Sequence, residues 1–338
     1  MTRTTYGKAA AAAALATALL AAGCSNAGGS GGDGDLSVGY VVNFGSHEWY
    51  QNVVQGAEDA AAEHGVQFQW EDANVDLSKQ ITQAENMLTQ GVDVLMMSPV
   101  DPGGLSSVMA QADERGVPVV TESNAVDGAV TTVGIENYEA AKMLGLWAGE
   151  YLAENVDGTA HVLIVGLPTQ KDTQDRAAGF VDGLTESGAD FEITQEVNGG
   201  GLKDIALDVS TDAFTAHPEI NVIFGINDDS ALGATQAYTE AGLDPAKLST
   251  FGFGVEGQAG KGALTSDGPY LAGLAMFPEY VGATLIEQAI AAAEGEEIPE
   301  RTVTPAAVVT ADNLGDYYTN EGGTWVIDYD AVAALAEQ

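Results

Sequence analysis

Few residues in this chain carry reactive chemistry, and the one thiol among them has the clearest setting. Cys24 is the only cysteine. It follows Leu19-Leu20-Ala21-Ala22-Gly23, where a lipoprotein signal peptide is cut and its new terminal cysteine lipidated. Ala21 stands three before Cys24, where Leu is usual, which predicts less efficient cleavage. Other reactive patterns fail on inspection. Gly252-Phe253-Gly254-Val255-Glu256-Gly257 spells G-x-G-x-x-G, yet no acid at the right distance completes a dinucleotide fingerprint. Asp72-Ala73-Asn74-Val75-Asp76 begins like a calcium loop, but Leu77 replaces the required Gly and Gln83 the bidentate Glu. There is no nucleophile elbow, zinc spacing or Walker motif. The expectation is a chain without catalytic residues, metal or cofactor, whose many carboxylates are solvated surface.

Binding chemistry is better represented. Polar and aromatic residues gather in Asn43 to Tyr50, Ser98 to Asp101, Glu122-Ser123-Asn124, Leu167 to Arg176 and Asn227-Asp228-Asp229. Each gathering follows a run that reads as a buried strand. Leu36 to Val42, Val66 to Trp70, Val92 to Met97 and Val117 to Thr121 are such runs in the first half. Ala160 to Val165, Phe191 to Val197, Val222 to Ile226, Leu248 to Phe253 and Tyr270 to Ala275 continue them. Between them lie amphipathic stretches such as Leu77-Ile81-Ala84-Leu88, with apolar residues three and four apart. Gly65 after His64, Gly91 after Gln90 and Pro218 after His217 mark predicted helix ends. Thr310 to Gly323 mixes turn and helix signals before the amphipathic Tyr329 to Ala336. The alternation predicts an α/β fold of two doubly wound parallel sheets, with the polar loops at the carboxyl ends of the strands lining one cleft.

Length and charge limit what such a cleft can serve. The sequence has 338 residues. Arg3 and Lys8 precede an apolar stretch, Ala9 to Ala22, that is shorter than the ~20 residues needed to span a bilayer. Residues 1–23 therefore read as a removable export signal, and residues 24–35, rich in Gly and Ser, as a flexible tether. What remains exceeds the ~250–300 residues at which single cores stop growing, which favours two lobes. The formal net charge is −39, from 11 Lys and Arg against 50 Asp and Glu. Such a surface repels nucleic acid and anionic lipid, so membrane attachment is expected through the lipid anchor alone. With no cysteine beyond Cys24, no intrachain disulfide can form, and a large core must hold the exported fold.

Several segments together resemble the sugar-binding proteins of bacterial ABC importers, of the ribose- and galactose-binding type. They are Gly56-Ala57, Gln90 to Asp101, Gly116 to Thr121, Arg176-Ala177-Ala178-Gly179-Phe180 and Asn227 to Ala234. The resemblance runs from about Leu36 to Val309 and implies the type 1 periplasmic binding fold. It places lobes at 36–136 plus 277–307 and 137–276 plus 308–338, joined by a three-segment hinge. It also implies a monomeric, non-enzymatic receptor whose partners are a small sugar or polyol and a membrane permease. The alternatives are a ligand-binding component of a sensory receptor and a non-sugar ligand such as a nucleoside.

Carried over position by position, the resemblance implies a ligand site at Asn43, His47, Trp49, Tyr50, Ser123, Asn124, Arg176, Asn227 and Met276. Trp49 and Tyr50 would sandwich a sugar ring, and Arg176 would fork across two hydroxyls. The competing roles are first-turn core packing for the two aromatics, neutralisation of Asp172 and Asp175 for Arg176, and a helix N-cap for Asn227. Both Trp49 and Arg176 are expected to line an open cleft, so that replacing them leaves the ligand-free fold almost unchanged. The family's Asp-Arg pair falls here on Ser123-Asn124, its later aspartate on Gly254 and its hinge-side glutamine on Met276. These departures leave the identity of the sugar open.

Overall fold

The computed structural model describes residues 36–336. The export segment, Cys24 and the tether lie outside the described residues. Ten strands come first in the chain: β1 (Ser37–Val42), β2 (Gln67–Asp72), β3 (Val94–Met97), β4 (Val119–Glu122), β5 (Thr131–Gly134), β6 (Ala160–Gly166), β7 (Phe191–Asn198), β8 (Val222–Gly225), β9 (Ser249–Gly254) and β10 (Tyr270–Ala275). Then β11 (Arg301–Val303) joins the first sheet, β12 (Ala307–Thr310) joins the second, and β13 (Tyr318–Glu321) pairs with β14 (Thr324–Ile327) as a hairpin. The sheet orders are β2-β1-β3-β4-β5-β11 and β7-β6-β8-β9-β10-β12, the same winding twice. All pairs in the two large sheets are parallel except β10 with β12. The strand order reverses between β1 and β3 in one sheet and between β6 and β8 in the other, and crevices for ligands form at such switch points.

Helices α1 (Glu48–His64), α2 (Leu77–Gln90) and α3 (Ser106–Arg115) alternate with the strands of the first sheet. With the second sheet go α4 (Asn137–Asn155), α5 (Lys171–Ser187), α6 (Lys203–Ala216), α7 (Asp228–Glu240) and α8 (Gln258–Leu264). After them come α9 (Pro278–Glu294) and the short α10 (Tyr329–Ala333). Gly65 and Gly91 close α1 and α2 in the left-handed conformation, at φ 69° and 86°, which glycine adopts without steric cost. Helix α6 ends one residue earlier than expected, at Ala216. His217 precedes Pro218, and the proline ring disfavours helical backbone in the residue before it.

Two strands differ from the buried runs expected. β2 and β7 are edge strands, alternately exposed, and Trp70 of β2 is exposed. The central β1, β3, β4, β8 and β9 are buried almost throughout, and their side chains build the cores on both faces of each sheet.

Two helix pairs approach backbone to backbone. A Cβ on Gly56 of α1 would fall on the Glu279 carbonyl of α9, and one on Gly282 would fall on the Val53 carbonyl. Gly179 of α5 stands likewise against the Tyr138 carbonyl of α4. Through these contacts α9, which follows the second sheet's β10 in sequence, packs on the first sheet's α1. The chain passes between the sheets at 135–136, 276–277 and 304–306. Among the described residues, no helix is long and apolar enough to cross a membrane.

Candidate ligand-binding site

A cavity of about 310 Å³ lies at the carboxyl ends of the strands, lined by residues of both sheets' loops and of the crossing segments. Backbone strain collects at the same strand ends. Ser123, Val255 and Phe277, each one or two residues past β4, β9 and β10, have φ of 61°, 46° and 51°. Non-glycine residues hold such angles only where the surrounding structure enforces them, which is common at ligand sites.

The loop after β1 and the first turn of α1 build one wall. His47 caps α1, its Nδ1 accepting the Trp49 backbone N–H at 3.2 Å. With Nδ1 an acceptor, the neutral imidazole carries its proton on Nε2. Burial lowers the His47 pKa, its largest influence, and so favours that neutral form. Trp49 packs against the cores of both sheets, and Tyr50 against the first. The Tyr50 hydroxyl is hydrogen-bonded to the Asn43 side chain, and burial pushes its pKa well up. Asn43, His47, Trp49 and Tyr50 all line the cavity. The aromatics therefore take the first-turn packing role and face the cavity at once.

Arg176 of α5 enters from the other side and is only 9% exposed. Its Nε donates to Asn137 Oδ1 at 2.8 Å and its Nη1 to the Ile226 carbonyl at 3.0 Å. The guanidinium lies 4.5 Å from the Phe253 ring centroid, and its Nη2 is 3.9 Å from Asp172 Oδ2. Asp175 does not share in this, because Lys171 takes it. The open cleft expected around Arg176 is thus corrected: the side chain is buried and its head is held from three directions.

Asn227 caps α7, accepting the Ser230 N–H at 2.9 Å, while its Nδ2 donates to the Gly201 carbonyl at 2.9 Å. It also lines the cavity, as do Ser123 and the buried Met276. Asn124 is the one predicted residue that does not line it; its backbone N–H turns back to the Glu122 carbonyl at 2.7 Å.

The general expectation that carboxylates are solvated is wrong at four places. Glu122, Asp228, Glu256 and Glu279 are all buried. Glu122, the last residue of β4, and Glu256 line the cavity. Burial raises the Glu122 pKa to about 7, nearby Asp172 pushes the same way, and Ser98 and Trp49 oppose it by donating toward the carboxylate. Burial, with the charge of nearby Asp228, raises that of Glu256 well above the ordinary carboxylate value. Asp228 fixes this corner, accepting the Tyr270 hydroxyl at 2.5 Å and the Glu256 N–H at 2.9 Å. An acid ending an otherwise apolar strand run was the available signal for Glu122; on so acidic a chain it did not stand out.

Helix α1 also reaches the second sheet's loops directly. Glu48 Oε1 accepts the Gln258 N–H at 2.8 Å, capping α8, and Asn52 Nδ2 donates to the Glu256 carbonyl. Among the described residues there is no cluster of His, Cys, Asp and Glu suited to a metal ion. The arrangement offers ring faces and hydroxyl-directed donors and acceptors.

Residues 38–297 match the Periplasmic binding protein domain family. The ribose import binding protein RbsB of Bacillus subtilis is 29% identical over 293 residues, covering 83% of this chain and 89% of that protein. A Mycobacterium smegmatis ABC transporter solute-binding protein, solved with bound glycerol, superposes with a TM-score of 0.77 at 26% identity, covering 87% of this chain and all of that one. Another M. smegmatis structure, in complex with β-D-fucofuranose, gives a TM-score of 0.74 at 26% identity, covering 82% and 92%. The first two of these are binding proteins, in agreement with the expectation of no catalytic activity. A doubly repeated winding, a cavity at its switch points and a family match over most of its length lead to one conclusion: this chain belongs to the periplasmic binding protein domain family.

Proposed function

We propose that the protein is the substrate-binding component of an ABC importer, exported, anchored through a lipid on Cys24, and selective for a small sugar or polyol. The observation that carries this reading is the convergence of Trp49, Tyr50, Arg176 and Asn227 on one cavity of about 310 Å³. Ring faces suit the C–H faces of a carbohydrate, while the arginine and asparagine suit its hydroxyls. Relatives named for ribose import, or solved with glycerol and a furanose, support the ligand class.

In this reading 36–136 with 277–307 and 137–276 with 308–338 move as two lobes about the three crossing segments. A ligand touching both lobes stabilises the closed form, and the permease reads that form. The test is a thermal-shift panel of pentoses, hexoses, polyols and nucleosides. A true ligand at 100 times its Kd adds ~2.7 kcal/mol of stability. A response to nucleosides alone overturns the sugar and polyol assignment. Replacing Cys24 with Ser should release a folded protein from the membrane fraction, and its retention there would rule out the lipid anchor.

A further inference from the structure

Three carboxylates line the cavity, Glu122, Asp172 and Glu256, against the single guanidinium of Arg176. They are not equivalent. Asp172 is the ion-pair partner of Arg176, and its Oδ1 also accepts the Thr173 N–H at 2.8 Å. Glu256 sits beside Asp228 in a buried corner, where two neighbouring acids favour the protonated form of at least one. Glu122 has no ion-pair partner among the described residues, although Ser98 and Trp49 donate toward it. It is 1% exposed, and its Oε2 is buried without a hydrogen-bond partner among the described residues. The Arg176 guanidinium does not pair with it, being held by Asn137, Ile226 and Asp172. The neighbours of Glu122 are polar and aromatic: Ser98 and Trp49 donate toward the carboxylate, and the hydroxyls of Tyr40 and Tyr50 lie close enough to feel its charge.

A buried carboxylate with an unmade hydrogen bond is costly unless a partner arrives. A neutral hydroxyl supplies one hydrogen bond and no charge. An ammonium supplies up to three donors and the missing positive charge. We propose that the preferred ligand is a sugar or polyol bearing a protonated primary amine, and that Glu122, which lines the cavity with Trp49 and Tyr50, is the residue that selects it. This rests on the sugar and polyol reading and narrows it. The net acidic surface favours the approach of such a cation.

The experiment is calorimetric titration of the full folded body, at neutral pH and physiological salt, with matched pairs. Suitable pairs are D-glucose and D-glucosamine, D-galactose and D-galactosamine, and D-glucitol and 1-amino-1-deoxy-D-glucitol. The expected result is that the amine member of at least one pair binds about tenfold or more tightly than its hydroxyl partner, the advantage of a charge-assisted hydrogen bond. In Glu122→Gln that ratio should fall towards one, and the parent comparison stands even if the variant fails to fold. Hydroxyl members binding as tightly as the amines, or more so, overturn the inference while leaving the carbohydrate reading in place. An amine preference that survives in folded Glu122→Gln removes Glu122 as its cause. Binding of neither class, at concentrations where relatives' ligands would saturate, overturns both.

Discussion

Arg176 shows how one side chain can hold the apo fold and the ligand site together. Two of its N–H groups satisfy Asn137 and Ile226, while others remain for a ligand. Arg176→Ala should therefore weaken binding about 10- to 150-fold and also destabilise the ligand-free protein by about 1–3 kcal/mol, the cost of stranding buried acceptors. Urea melts without ligand check the second effect; an unchanged midpoint would mean the arginine is not structurally engaged. Glu122 makes a pH prediction. Its folded pKa of about 7 lies above the ordinary 4.5, so between those values the folded state keeps a proton that the unfolded chain has lost. Its contribution to stability is full below about pH 4.5 and falls as pH rises towards 7. Glu122→Gln should thus gain about 3 kcal/mol relative to the parent between pH 4 and pH 8, and parallel pH profiles for the two would contradict the assignment. At this scale the sequence was readable where residue type was unusual for the chain: basic residues are scarce, so Arg176 stood out. Glu122 did not, because its one local mark, an acid closing an apolar strand run, is faint in a chain with 50 acids.

Helix α1 joins three duties in its first two turns: Trp49 and Tyr50 line the cavity, His47 caps the helix, and Glu48 and Asn52 grip the loop at 256–258. The grip is independent of any ligand, so it should hold part of the closed form in place beforehand. Replacing Glu48 and Asn52 together with Ala should lower affinity about 3- to 30-fold through the closed-state population, while every cavity-lining side chain stays as it is. Unchanged affinity in the double variant would show that these bonds do not bear on closure. Elements were legible wherever a local rule marks them. Gly65 and Gly91 closed helices because the left-handed turn selects glycine, and Val-rich central strands announced themselves by burial on both faces. β5, β11 and β12 were not read, since three or four residues carry no periodicity and β11 exists through pairing with β5 far back in the chain. The β13–β14 hairpin did carry a signal, Gly322-Gly323 at φ 67° and 103°, which the mixed composition around it obscured.

The molecule as a whole is a strongly acidic body built by repeating one winding twice around a shared cavity. Self-repulsion of its surface should be screened by salt, since the Debye length falls from ~10 Å at 0.1 M to ~3 Å at 1 M. The melting temperature should therefore climb between those sodium chloride concentrations, and a flat or falling curve would exclude repulsion as a significant cost. The repeat itself was readable, because alternating strand and helix signals resume after residue 160 with the same spacing of polar loops. Which loop atoms meet across the cavity was not, since that depends on contacts between residues more than 100 apart, such as Glu48 with Gln258 and Asn52 with Glu256. Everything proposed for the cavity depends on a small carbohydrate bridging the two lobes and closing them. Small-angle scattering of the parent and of Trp49→Ala, each with and without the tightest ligand of the panel at saturating concentration, is the decisive measurement. The ligand should shrink the radius of gyration of the parent, and Trp49→Ala should bind at least about tenfold more weakly with less compaction. Tight binding with no change of radius in the parent, or binding and compaction untouched by Trp49→Ala, would mean that the ligand does not close the lobes through this site.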